Sequence, residues 1–193
     1  RKLIVVERDF VENKIESIFE NAKKEDIAFL IKGDNYSAST HFDIYLRAKK
    51  EKVPIKVISG TSILTAVGIT GLSLYNFGKT VSIPFHNENT KSPVEYFFMN
   101  KKNNLHTLFL LDLNPTENKF LTIKEACDYL IKNKIPKKTL AIGCARLGFS
   151  NQKIKTSTLE KLGNENFGSP PYCLIIPGKL HFKEEEALEL WKN

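Results

Sequence analysis

Apolar residues fall into two recurring arrangements along the chain. Short runs rich in Val, Ile, Leu and Phe occur at 2–6, 27–31, 53–58, 80–83, 106–113, 139–144 and 173–176. Runs with little polar alternation suit strands buried on both faces of a sheet. Between them lie stretches with helical spacing. In 12–22, Ile15, Ile18, Phe19 and Ala22 make one stripe at i, i+3, i+4 and i+7. Residues 40–50 start on a capping-box-like Thr40–Asp43 and end on Lys49-Lys50, which suits the helix macrodipole. Thr122 and Glu125 make a second capping box at the head of 122–132. Further helices are predicted over 62–67, 94–103 and 183–191. Strand and helix therefore alternate, the pattern of right-handed βαβ units and an α/β fold.

The stretch 84–93 interrupts that alternation. It is polar, with Pro84 and Pro93 at its ends, and reads as a linker. The expected organisation is an N-terminal α/β domain over 1–83 and a C-terminal one over 94–193. Ligands of such domains gather where strand ends meet.

Composition narrows the class. The chain has 193 residues, 41% hydrophobic and 26% charged, enough for a true core. The net charge of +7 suits acidic partners, or lysines scattered over solvated surface. Cys127, Cys144 and Cys173 are odd in number and widely spaced, which argues against a disulfide framework or a zinc site. No apolar stretch approaches a membrane span, and no secretory signal opens the chain. A reducing cytoplasm is the expected compartment. The sequence opens directly on the apolar run Leu3-Ile4-Val5-Val6 without an initiator Met, as expected of a strand already inside a domain.

Several chemistries are excluded by motif. The chain carries no phosphate loop, no G-x-G-x-x-G fingerprint and no G-x-S-x-G elbow. His41, His86, His106 and His181 show no metal-ligand spacing. What remains is a set of strand-end loops. Gly33-Asp34-Asn35-Tyr36-Ser37 follows the run 27–31. Asp34 can accept from ribose hydroxyls or an ammonium group, or can serve a purely local turn. Ser59-Gly60-Thr61-Ser62-Ile63 is the second loop, whose small residues permit close approach to a ligand or to a packing neighbour. Leu111-Asp112, Ala145-Arg146-Leu147-Gly148 and Pro170-Pro171-Tyr172 complete the set.

Together these segments resemble the diphthine synthase family. The matching stretches are AFLIKGDNYSASTHFDIYLRAK, SILTAVGITGLSLYNFGKTVSIPF, LHTLFLLDL, ARLGFSNQKI and FGSPPYCLIIPGKLH, in the family's order over nearly the whole chain. The resemblance implies the tetrapyrrole-methylase fold, two α/β domains with the cofactor in the cleft between them. It implies a cytoplasmic homodimeric methyltransferase using S-adenosylmethionine, releasing S-adenosylhomocysteine and needing no metal. The implied substrate is translation elongation factor 2. Its modified histidine would be trimethylated on the amino group to give diphthine, a step of diphthamide biosynthesis. No membrane or direct nucleic-acid contact is implied. Residue by residue, the implied cofactor contacts are Asp34, Ser37, Ser62, Ile63, Leu111, Leu147 and Tyr172.

The sequence departs from the family pattern in places. Tyr172 stands where the family more often has His. Asn35 replaces a usual Pro and is expected to loosen the turn. The family opens on a Gly-rich GLGL strand end, which is not in this sequence, so the first domain is expected to lack its first strand. The connection 113–122 is short, as in archaeal members, which favours trimethylation without a methyl ester. No residue stands out as the proton acceptor; Asp112 is a weakly placed candidate. Two other readings stay open: a methyltransferase of a precorrin-type tetrapyrrole, and a non-catalytic subunit or RNA-binding module that keeps the fold.

Overall fold

The computed structural model describes residues 3–6, 8–37 and 41–192. The chain divides into two compact units, 1–65 and 66–193. This differs from the expected division at 84–93, and the reason lies in the sheet of the second unit.

Among the described residues of the first unit, the regular elements are helices. Helix α1 spans Arg8–Asn13, α2 Glu16–Ala22 and α3 Phe42–Lys50. Of the stripe read from 12–22, Ile15 and Phe19 are buried, at 0% and 4% exposed, and Ile18 and Ala22 half-buried beside them, but the helix breaks at Lys14-Ile15. Ile15 and Phe19 form a small core with Ala48 and Val53. Arg47 ties α3 to α2 through Glu16 at 2.8 Å and pairs with Asp43 at 2.6 Å. Lys2 and Thr40, named above in a strand and in a cap, lie outside the described residues.

The strands expected at 27–31, at 53–58 and over 3–6 do not form. A strand needs a neighbour to complete its hydrogen-bond ladder. These runs carry no regular structure: Leu3, Ile4 and Val5 are exposed, and 27–31 and 53–58 bury only part of their apolar residues. Phe29 and Ile55 lean on the small core, while Leu30 and Ile58 are each 77% exposed.

The second unit holds a five-stranded sheet in the order β1-β2-β7-β5-β6. Its strands are β1 Val81–Ile83, β2 Thr107–Leu111, β5 Leu140–Ala145, β6 Lys153–Thr158 and β7 Tyr172–Ile176. A small hairpin, β3 Leu113–Asn114 with β4 Lys119–Phe120, occupies the short connection after β2. Only β1 and β2 run parallel; β7 is antiparallel to both β2 and β5, and β6 antiparallel to β5. The uniform βαβ expectation is thus corrected to a mixed sheet.

Helix α5 (Ser92–Lys102) links β1 to β2. Because β1 pairs with β2 from Val81↔Phe109 to Ile83↔Leu111, residues 84–93 are the first half of a crossover inside one sheet. They are not a link between domains. Strand β6 and the short helix α7 (Leu159–Leu162) escape a reading based on apolar runs. β6 is an edge strand in which the buried Ile154 and Thr156 alternate with half-buried polar positions, and Thr carries β propensity without hydrophobicity.

Short helix α4 (Ile63–Ala66) precedes the second unit's first 3₁₀ turn. Helix α6 (Ile123–Lys132) carries the predicted capping box, with Glu125 accepting from the Thr122 N–H at 2.7 Å. Its apolar face, including Ile123, Ala126, Tyr129 and Leu130, packs into the main core with Phe109, Leu159 and Leu174. Helix α8 (Phe182–Glu189) is capped by His181, whose Nδ1 accepts from the Lys183 N–H.

Behind that cap, Glu184 is buried and accepts from the N–H groups of Ser73 and His181, each at 2.8 Å. The fully buried His106 meets Glu184 Oε1 through Nε2 at 3.0 Å, and its Nδ1 accepts from the Gly178 N–H at 2.9 Å. That acceptor role places the single ring proton on Nε2, where it donates to Glu184. His106 and His181 are therefore structural residues.

Candidate functional site

In the first unit, two of the sequence-predicted loops meet. Gly33 adopts φ +90°, open to glycine at little cost. Gly60 lies so close that a β-carbon there would sit 2.1 Å from the Gly33 carbonyl oxygen. Asn35 adds a tie, its side-chain amide donating to the Ile58 carbonyl at 2.7 Å. The expected loosening by Asn35 is corrected: it fastens the turn to the neighbouring loop.

Asp34 organises the same turn. Its Oδ1 accepts from the N–H groups of Tyr36 at 3.0 Å and Ser37 at 2.8 Å. The Tyr36 N–H, then the Ser37 hydroxyl and N–H, hold its carboxyl below the usual aspartate value. Asp34 is thus a carboxylate at neutral pH. Ser62 is buried, and its hydroxyl accepts from the Leu64 N–H at 3.0 Å, capping α4, of which Ile63 is the first residue. Asp34, Ser37, Ser62 and Ile63 therefore lie on two loops that the Gly33–Gly60 contact and Asn35 hold together.

The second unit gathers the other three positions. Leu111 ends β2, Ala145 ends β5 and Tyr172 starts β7. Because β7 runs antiparallel between β2 and β5, Tyr172 pairs with Ala145, and Cys173 with Leu110. Leu111, Leu147 and Tyr172 consequently share one end of the sheet. This follows from the mixed topology; had β7 run parallel, Tyr172 would lie at the opposite end.

The loops at this end are braced by Arg146, which the sequence placed in a strand-end loop without a role. It has φ +53°, an uncommon conformation for a residue with a side chain. Its N–H donates to the Pro171 carbonyl at 2.9 Å, and its guanidinium donates to the carbonyls of Asn151, Phe167 and Ser169. Tyr172 donates its hydroxyl to the Gly168 carbonyl. Burial pushes the Tyr172 phenol above its usual value, and the Arg146 charge opposes that shift.

Asp112 is engaged as well. Oδ2 accepts from the Phe85 N–H at 3.2 Å and Oδ1 from the Leu113 N–H at 2.9 Å, tying the segment after β1 to the end of β2. Cys144 and Cys173 face each other across β5 and β7, both buried. The contact with Cys173, then burial, raises the Cys144 thiol well above its usual value. Burial likewise pushes Cys127 up to about 12. None of the three is a ready nucleophile. Among the described residues, no group of three or more His, Cys, Asp or Glu side chains is placed to hold a metal, and no helix is long and apolar enough to cross a membrane.

The chain is similar to known proteins in sequence and in structure. Residues 5–163 match the family of tetrapyrrole (corrin/porphyrin) methylases. A diphthine synthase of Methanocaldococcus jannaschii is 42% identical over 98% of this chain and 78% of its own length. A diphthine methyl ester synthase of Dictyostelium discoideum is 34% identical over 100% of this chain and 79% of its own. A crystal structure of diphthine synthase superposes with a TM-score of 0.90 at 34% identity, covering 100% of this chain and 76% of that one. The chain belongs to the tetrapyrrole methylase family, among its diphthine synthases, and is a methyltransferase.

Proposed function

We propose that the chain uses S-adenosylmethionine to trimethylate the amino group of the modified histidine in translation elongation factor 2, forming diphthine. The observation that carries this reading is the 42% identity to a protein named for that product, spread over 98% of the chain. The sites fit the cofactor's chemistry. Asp34 is held ionised by backbone N–H groups, and such a carboxylate suits ribose hydroxyls or a cationic centre. Leu147 and Tyr172 offer an aliphatic side chain and an aromatic ring at the sheet end where the core residue Leu111 closes β2, suited to a flat heterocycle.

When bound, the cofactor supplies an electrophilic methyl group on a sulfonium. The chain's own task is to align the amine in line with that carbon and to keep water away. The amine attacks only when neutral, so the mono- and dimethylated amines must each lose a proton before the next round. With both Asp112 oxygens accepting from backbone N–H groups, we assign that proton to solvent. The compact β3–β4 hairpin keeps the 113–122 connection short, which supports trimethylation without an ester. A homodimer, and an excess of +7 that favours an acidic docking face, complete the reading.

Calorimetric titration with S-adenosylhomocysteine tests the cofactor assignment. Saturable one-to-one binding is expected, and absence of binding would contradict it.

A further inference from the structure

Arg146 reaches two separate loops with one side chain. Nε and Nη2 donate to the Asn151 carbonyl at 3.1 and 2.9 Å, on the β5–β6 turn. Nη1 donates to the Phe167 carbonyl at 2.9 Å and to the Ser169 carbonyl, on the approach to β7. The main chain makes a third tie, from the Arg146 N–H to the Pro171 carbonyl at 2.9 Å. Leu147 is the next residue after Arg146, and Tyr172 the next after Pro171. Gly168, at φ +70°, passes beside the guanidinium; a β-carbon there would lie 3.5 Å from Nη1 and Nη2.

All three acceptors of the guanidinium are main-chain carbonyls, so it reads the path of the backbone and not the identity of a side chain. A fixed fork of N–H donors can span carbonyls in different directions. A lysine ammonium is a single point on a flexible stem and cannot hold both loops at once. Such a geometry serves to fix two loop positions relative to each other.

We propose that Arg146 is a positioning residue: by clamping the loop after β5 to the loop before β7, it sets Leu147 and Tyr172 at the spacing that the cofactor requires. The inference rests on the cofactor reading above and adds to it a residue that need not touch the ligand.

The test compares the unsubstituted chain with Arg146→Lys by calorimetry with S-adenosylhomocysteine. A positioning role predicts a Kd at least about tenfold weaker in R146K, from lost charge-assisted hydrogen bonds, with binding stoichiometry unchanged. A purely structural role predicts the reverse, a lower active fraction with the same Kd. Equal Kd in the two proteins overturns the inference and leaves the cofactor reading intact. Absence of binding by the unsubstituted chain overturns the cofactor reading and the inference with it. Should R146K fail to fold, hydrogen exchange on the unsubstituted chain decides. S-adenosylhomocysteine must then protect residues 146–149 and 167–172 together; protection of one segment alone overturns the proposal.

Discussion

Gly60 packs against the carbonyl of Gly33 so tightly that a β-carbon at 60 would lie 2.1 Å from that oxygen. The obstacle is main chain and cannot swing aside as a side chain would. Gly60→Ala must push the two loops apart, at a cost of about 1–3 kcal/mol for overpacking. The substitution should weaken S-adenosylhomocysteine binding by about tenfold or more, read by calorimetry.

Asp112 separates a tie from a proton acceptor. Asp112→Asn keeps one good acceptor but turns an NH₂ toward a backbone N–H of Phe85 or Leu113. The mismatch should cost about 1–3 kcal/mol, a fall in Tm of roughly 3–10 °C for a chain of this size. The pH profile of methyl transfer should keep its shape. A profile whose acidic limb disappears in D112N would instead make Asp112 the base.

The His106–Glu184 pair predicts an acid sensitivity. Burial pushes the Glu184 carboxyl up, but hydrogen bonds from His181, Ser73 and His106 outweigh it, leaving the group below the ordinary 4.5. A folded value below the unfolded one means that the contribution is fully present above 4.5 and is lost as pH falls through the lowered value. Glu184→Gln removes that titration and leaves one N–H facing an amide NH₂. Melting curves between neutral pH and roughly pH 3 should show the variant less stable at neutrality, with the gap closing in acid. A gap that widens in acid would refute the assignment.

The three thiols should be silent in the native state. Cys127, Cys144 and Cys173 are each no more than 2% exposed, and burial keeps the Cys127 and Cys144 thiols protonated at neutral pH. Iodoacetamide at neutral pH should label none without denaturant and all three in it. Rapid native labelling of Cys144 would contradict the packing between β5 and β7.

Much of the second unit was legible from pattern alone. The Thr122–Glu125 box and the apolar runs now in β2, β5 and β7 locate real elements because each carries its signal within a few neighbouring residues. Strand direction carries no such local mark, so the antiparallel course of β7, which brings Tyr172 beside Ala145, was not visible. Nor was the role of 84–93, since a crossover and a linker share the same polar, proline-bounded composition. In the first unit, the Ile15–Phe19 stripe was legible, whereas the runs at 27–31 and 53–58 looked like strands because apolar content does not reveal whether a pairing partner exists. Arg146 was missed because its partners are carbonyls, which leave no trace in residue identity.

The most direct test of the central claim is methyl transfer from isotopically labelled S-adenosylmethionine to elongation factor 2 bearing the aminocarboxypropyl histidine, with the product resolved by mass spectrometry. The predicted result is a trimethylated amine on that histidine with no methyl ester, and no labelling of precorrin substrates. Labelling of a precorrin with none on the elongation factor, or an ester in place of the trimethylated amine, would contradict it.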